Sequence, residues 1–459
     1  MSTKIIISSI LLLVLTTTAC KKIVDGPDPT IAEDINLGGE TSAEGTFVNA
    51  FQQPASNLNL LEIQKHLEAD KAFGDIFVTA PSTINGGLGP VFNQNSCESC
   101  HISNGKSPFP DSPQDLRGLL VRLSTPGAGI HGEPLPVPNF GGQLQHKAVF
   151  GKMPEGKLTW QQIQEIQQYV DGNTVSLRHF DFNIENAYTA LPSNVLVSPR
   201  IAPSMIGLGL LEAIREQDIL ALADPNDNNA DGISGKPNRV WNYATQQYSL
   251  GRFGWKAAQP TLYQQTAAAY NNDMGITNPL FSTESSAGQT QSDGLPDEPE
   301  IDDVTLKNAT FYTQSLAVPQ RRNTQNIDVQ KGKMTFQAIQ CASCHNPKFT
   351  TGTHPEYTFL SNQQIYPYTD MLLHDMGAGL ADGRPDYEAN GQEWRTPPLW
   401  GLGLIKIVGG HSNFLHDGRA RNIEEAILWH GGEAENSKNL FKKLTKEQRE
   451  QVIKFLESL

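Results

Sequence analysis

The chain has 459 residues, of which 38% are hydrophobic, and it carries a formal net charge of −14. That length suffices for two or three domains and a substantial core. The negative charge argues against a nucleic-acid backbone or an anionic lipid surface as partner.

The first residues, MSTKIIISSILLLVLTTTAC, read as an export signal: Lys4, an apolar run from Ile5 to Leu15, then small residues. The run is too short to span a bilayer as a helix. Thr17-Thr18-Ala19-Cys20 resembles the lipobox of bacterial lipoproteins, in which the signal is cut before the cysteine and Cys20 carries lipid. The alternative is a plain signal peptide with an incidental cysteine. Residues 21–45 are rich in Gly, Asp, Glu, Pro and Thr and suit a flexible tether. The expected location is therefore the periplasm-facing cell envelope, with the lipid anchor as the membrane contact.

A first domain is expected over 46–325. It contains NQNSCESCHISNG, in which Cys97-x-x-Cys100 is followed directly by His101. The pattern recurs as Cys341-x-x-Cys344-His345. At this composition one CxxCH arises by chance about once in a thousand such chains, and two are far rarer. A four-thiolate zinc site would use both pairs but leave the two histidines unexplained. A thioredoxin-like dithiol would head a helix after a strand, which LGPVFNQNS does not supply. Covalent c-type haem accounts for every position: two thiols add to the vinyl groups of one porphyrin and the adjacent histidine ligates the iron. Two haem c groups are expected.

Beyond the first motif, the Pro- and Gly-rich span 107–156 has little periodicity and is expected to wrap the first haem. Within it GAGIHG fits GxGxxG, but Pro126 and Pro134 flank it without a strand–helix context, so it is no dinucleotide loop. WQQIQEIQQYVDG (160–172) and DDVTLKNATFYTQSL (302–316) read as helices, and 281–300 as an acidic loop. In DPNDNNADGISGKPN, Asp227, Asn229, Asp231 and Gly232 match the first half of an EF-hand loop, whereas position twelve is Asn238 instead of glutamate. Calcium and a plain Asx-rich turn both remain open here.

The segment 253–270, FGWKAAQPTLYQQTAAAY, lies on 414–431, FLHDGRARNIEEAILWHG, without gaps, with Trp255 on His416 and Leu262 on Ile423. With one haem motif upstream of each copy, this suggests two related haem domains in tandem. The second, 326–459, reads as a cytochrome c domain. Met334, Phe336 and Ile339 sit on a helix leading into the motif. Thr445 and Gln448 form a capping box ahead of an apolar stripe of Val452, Ile453, Leu456 and Leu459. The expected fold is mainly α: two tandem class-I cytochrome-c-like domains, the N-terminal one enlarged by long loop insertions.

LGPVFNQNSCESCH, DGISGKPNRVWN, LLHDMGAGLADGRPD, EWRTPPLWGLG and FLHDGRARNIEEAILWHGGEA together resemble the bacterial di-haem oxidoreductases, also labelled CxxCH thiol oxidoreductases, over residues 50–459. They are more distantly similar to di-haem cytochrome c peroxidases and to the di-haem enzyme that matures tryptophan tryptophylquinone. The resemblance implies that hydrogen peroxide meets the N-terminal haem and that electrons from a donor enter at the C-terminal haem. It puts the sixth ligand of the C-terminal iron at His430, fourteen residues past His416, where the peroxidases carry methionine; this implies a bis-histidine haem of lower potential. A histidine at a helix end is the plainer reading of His430, and Met376 is the rival ligand. The resemblance sets the relatives' tryptophan, glutamine and Glu-Met pair against Trp255, Gln265 and Asp273-Met274, with the shorter Asp273 replacing the glutamate and standing two residues early in the spacing. Asp273 would move the proton as the O–O bond breaks, or else caps a turn. Arg117 stands where the peroxidases have a reversible distal histidine, and His131 is the nearest substitute, expected to line the pocket.

The leading function is a peroxidase-like oxidoreductase. A pure electron-transfer cytochrome and a di-haem oxygenase or protein-modifying oxidant are the alternatives. Expected partners are a small oxidant and a donor such as a small cytochrome, a cupredoxin or a quinol chain, with no nucleic acid. The thiol-oxidoreductase label has no support, since no cysteine is left free for it.

Overall fold

The computed structural model describes residues 34–295 and 297–459, and the signal sequence, Cys20 and residues 21–33 of the expected tether lie outside them. The tether expectation ends early, because from Asp34 onward the chain is part of the packed body. Asp34 is buried, and its carboxylate takes Arg321 Nη1 at 2.6 Å, Lys333 Nζ at 2.9 Å and the Tyr368 hydroxyl at 3.0 Å. Leu37 beside it is fully buried.

The expectation of a mainly α fold is overturned: of the described residues 29% are helical and 20% are in strands, with several small sheets. Most of the strand sits between the first haem motif and residue 250. Strand β1 (Leu119–Ala128) pairs with β2 (Pro134–Leu135) on one side. On its other side it pairs with β5 (Leu196–Ile201), all antiparallel. Strands β3 (Lys157–Gln168) and β4 (Thr174–Glu185) form a long hairpin, and β6 (Arg239–Asn242) and β7 (Gln247–Leu250) a short one.

The segment expected as a helix over 160–172 is β3 and its turn. Trp160, Ile163, Ile166 and Val170 imitate a helical stripe, but the sequence that follows, with Val175, Leu177, Phe180 and Phe182, favours a strand and offers a partner. Asp171-Gly172 is a hairpin signal, and Gly172 adopts φ 86° while Tyr169 and Asn173 close the loop. Pairing along twelve residues outweighs a weak helical preference.

The expected helices elsewhere are present. Helix α1 (Leu60–Gly74) starts with an Asn59–Glu62 capping box and packs on α3 (Asp303–Ser315). Between them in sequence lies α2 (Leu262–Met274). Helix α4 (Ile327–Ala338) leads into the second haem motif, α5 (Ile423–Trp429) follows the FLHDG segment, and α6 (Lys446–Ser458) closes the chain behind its Thr445–Gln448 capping box. Val452, Phe455, Leu456 and Leu459 are buried, and Phe455 meets Phe336 of α4 at 5.3 Å between ring centroids. One core runs from Phe51 and Phe311 to Phe336 and Phe455 across the 325/326 boundary.

The tip of the β3–β4 hairpin clasps the C-terminal region. Tyr169 donates to Glu424 at 2.6 Å, while Arg449 pairs with Asp171 at 2.7 Å and lies 3.8 Å from the Tyr169 ring.

Helices α4 and α6 touch backbone to backbone at Gly332, where a Cβ would lie 1.9 Å from the Gln451 carbonyl oxygen. Gly332→Val is expected to lower stability by about 3 kcal/mol through overpacking. Lys331→Ala on the exposed side should stay within about 0.5 kcal/mol. Urea unfolding followed by far-UV circular dichroism checks both, and equal midpoints would remove Gly332 as the contact point.

Candidate functional site

Cys97 to Cys100 form a single helical turn whose N-cap, Ser96, accepts from the Ser99 N–H. His101 follows, and its Nδ1 donates to the Pro203 carbonyl at 2.8 Å. In the second motif His345 Nδ1 donates to the Tyr368 carbonyl at 2.9 Å. A carbonyl only accepts, so each Nδ1 carries the proton and each Nε2 keeps its lone pair. Burial pulls both imidazoles down to about 4, so they stay neutral and able to ligate at any ordinary pH. Burial also pushes the Cys97 and Cys341 thiols up to about 12 and raises Cys100 further, the opposite of what a redox dithiol needs.

The internal repeat is real in three dimensions. Phe253 bridges Gln259 and, at the matching positions, Phe414 bridges Ala420. Thr261 caps α2 and Asn422 caps α5 through the same side-chain bond to the third helical N–H. In this register His430 falls on Ala269. His430 follows α5 directly, and its Nδ1 donates to the Ala426 carbonyl at 2.7 Å. It acts electrostatically on His345.

In α2, Gln265, Ala269 and Asp273 are spaced four apart and so share one face, the face that bears His430 in the second copy. All three keep some accessible surface, whereas Gln264, Ala267, Ala268 and Tyr270 are buried. Gln265 is close to Gly254, next to Trp255. Asp273 Oδ1 accepts from Gln143 Nε2 at 2.8 Å. Its carboxyl is raised by burial, with the Arg122 guanidinium and Gln143 opposing that rise. It acts on both Cys97 and Cys100, while His101 answers only to burial and the Pro203 carbonyl.

Trp255 joins the two halves. Its Nε1 donates to the Ile201 carbonyl at 2.9 Å, and the Ile201 N–H donates to the His416 carbonyl at 2.7 Å. Its ring meets His416 edge-on at 6.5 Å, with Lys106 Nζ 4.5 Å from its centroid. His416 in turn stacks on Trp394 at 3.8 Å.

Other expected residues fall elsewhere. His131 stacks on Trp241 at 3.6 Å and makes no contact with either haem-motif histidine among the described residues. Arg117 points outward to Asp111 at 3.1 Å. Met376 packs against the edge of the main core. In the loop 227–232 the Asp227, Asn229 and Asp231 side chains accept backbone N–H groups of the loop itself, as an Asx-rich turn does. Asn238, at position twelve, is buried, its Nδ2 donates to the Lys256 and Asp386 carbonyls, and its Oδ1 accepts from the Glu388 N–H at 3.0 Å.

A family model described as "Di-haem oxidoreductase, putative peroxidase" matches residues 32–459. The chain belongs to that family. A search of curated proteins gave no match. The residues present fit what a di-haem oxidoreductase must hold. Among the described residues, the Nε2 atoms of His101, His345 and His430 have no hydrogen-bond partner, and none is sealed in protein, unlike His146 Nε2. Each thus opens on space where an iron ligand is wanted.

Sequence reasoning missed three groups. Arg122 and Gln143 come to Asp273 from separate strands and loops and left no local signal. His374 stood in the quoted LLHDMG segment without a role. It is buried between two carboxylates, with Nε2 2.8 Å from Asp370 and Nδ1 2.6 Å from Glu433, and its Nδ1 lies 3.8 Å from Cys344 Sγ. With an acceptor on each nitrogen the ring is an imidazolium. Burial alone would lower its pKa, but the bonds to Asp370, Cys344 and Glu433 raise it well above the usual value. Its stabilisation is therefore complete below about pH 6.5, the unfolded value, and is lost as pH rises through the higher folded value. His374→Gln should flatten the fall in unfolding free energy between pH 6 and pH 9, which for one such group is at most about 1.4 kcal/mol per pH unit. Urea titrations at the two pH values check this, and an unchanged slope would assign the pH dependence to other groups.

Proposed function

We propose that this di-haem oxidoreductase is peroxidase-like and has two unequal sites. A small oxidant of the hydrogen peroxide class is reduced in the His101 cavity with electrons arriving from the His345 side. When bound, each haem supplies a one-electron centre, and an iron with an open position is where an oxidant reacts. Cys97 with Cys100, and Cys341 with Cys344, would hold the porphyrins through thioethers, and His101 and His345 would ligate the irons.

The observation that carries the reading is the pair His430 and Ala269. The same face of the same repeated helix offers an imidazole to one site and a methyl group to the other. In place of a ligand, the His101 site has a carboxyl one turn along, at Asp273. Gln143 fixes that carboxyl by a hydrogen bond, and its raised pKa suits it to take a proton and return it. Gln265 lies a turn to the other side. Trp255, anchored on the Ile201 carbonyl and edge-on to His416, bridges the halves and is the route we assign to electrons.

The same reading makes the donor a small cytochrome, a cupredoxin or a quinol chain. It sets the protein in the cell envelope, anchored by lipid at Cys20, on the strength of the N-terminal sequence.

Two haems per chain should survive denaturation in a pyridine haemochrome assay, and Cys97→Ala with Cys100→Ala should leave one. Electron paramagnetic resonance of the oxidised protein should show one low-spin bis-imidazole centre and one high-spin centre. His430→Ala should convert the low-spin signal and leave the other alone. Two low-spin centres insensitive to cyanide and peroxide in every redox state would replace the enzyme with an electron carrier.

A further inference from the structure

Arg122 lies on β1, where Leu119, Val121 and Leu123 enter the apolar cluster and Arg122 points to the opposite face. Across from it Gln143 forms an isolated bridge with the Arg122 backbone, and the Gln143 amide donates to Asp273. Residues paired across an antiparallel bridge point to the same face, so the Arg122 side chain leaves the strand on the side from which Gln143 reaches Asp273, and its charge favours the ionised Asp273 carboxyl without an ion pair between them.

The charges around Arg122 do not balance it. Asp382 is taken by Lys256 at 2.7 Å and by Arg200 at 3.2 Å. Asp386 is taken by Arg200 at 2.7 Å and also by Arg384. Arg122 makes no side-chain hydrogen bond or ion pair among the described residues, and its nitrogens are not sealed in protein. Asp273 Oδ1 is held by Gln143, while Oδ2 has no hydrogen-bond partner among the described residues and is likewise not sealed. A half-buried guanidinium with no ion-pair partner is costly. It also presents several N–H donors on one side, which an anion would satisfy.

We propose that Arg122 makes the Asp273 side of the His101 site a binding place for a small monovalent anion, with hydroperoxide as the member of that class relevant to the reaction. The inference rests on the reading that the His101 site is open. Hydrogen peroxide passing one proton to the Asp273 carboxylate leaves hydroperoxide and a neutral carboxyl, so that the charge moves from Asp273 to an oxygen facing Arg122. Gln143 keeps Asp273 in place during the exchange. Arg122 is thus a ligand-binding residue whose charge favours the deprotonated form of the oxidant.

Fluoride is the probe, added to the oxidised two-haem protein and followed by its visible spectrum. Wild type should show saturable fluoride binding at one haem, and Arg122→Leu should weaken it on the order of ten- to a hundredfold, the worth of a charge-assisted bond. Imidazole, a neutral ligand, should bind the variant within about threefold of wild type. In wild type alone, the iron–fluoride Raman stretch should shift in deuterated water, a readout that needs no variant. Equal fluoride affinity in both proteins, or no isotope shift, overturns the inference and leaves the open site standing. No fluoride response in wild type removes the open site and this inference with it.

Discussion

Both candidate centres depend on one interaction, an imidazole Nδ1–H held by a backbone carbonyl. Pro203 holds His101 and Tyr368 holds His345. Each bond fixes the tautomer, sets the ring plane and makes Nε2 the better donor to a metal. Pro203 lies 102 residues beyond His101 and Tyr368 only 23 beyond His345, so the first site exists only after a long connection has packed. Residue 203 follows directly on β5, and this is why so much strand is inserted after the first motif. The sheet carries the carbonyl that aims His101, and its central strand carries Arg122.

The two candidate centres share one repeated segment, and within it they differ at one helix face. Bridge, cap and helix start correspond, and the difference is concentrated in what the face presents: His430 against Ala269, flanked by Gln265 and Asp273. Where the second copy presents an imidazole, the first presents a methyl group with an amide and a carboxyl a turn to either side, at Gln265 and Asp273. A site with two imidazoles favours the ferric state and cycles electrons without binding anything. A site with one can bind. The division of labour follows from a few side chains on a repeated frame.

The halves are kept in register by polar contacts as well as by the shared core. Asp34 gathers Arg321, Lys333 and Tyr368 into one buried cluster. The hairpin tip grips Glu424 and Arg449. Buried charges of this kind cost stability when one partner is removed and so define a single arrangement more than they add to its free energy. The placing of Trp255 between Ile201 and His416 depends on how rigidly the halves meet.

The sequence by itself determined what is local or repeated. Cys-x-x-Cys-His states a haem site within five residues. The capping box at Thr445 and the stripe after it give the last helix, the repeat set Trp255 against His416, and the family resemblance marked His430. Only the tertiary structure decided the rest. The stretch at 160–172 has a helical spacing of apolar residues, and a partner strand across the Asp171-Gly172 turn made it a hairpin. His131 reads as a pocket residue until its ring is seen flat on Trp241. Arg122, Gln143 and Asp273 are brought together from distant parts of the chain, and His374 acquires its charge from carboxylates at 370 and 433. Such groups carry no mark in the sequence, because desolvation and pairing are properties of the folded surroundings and not of the residue.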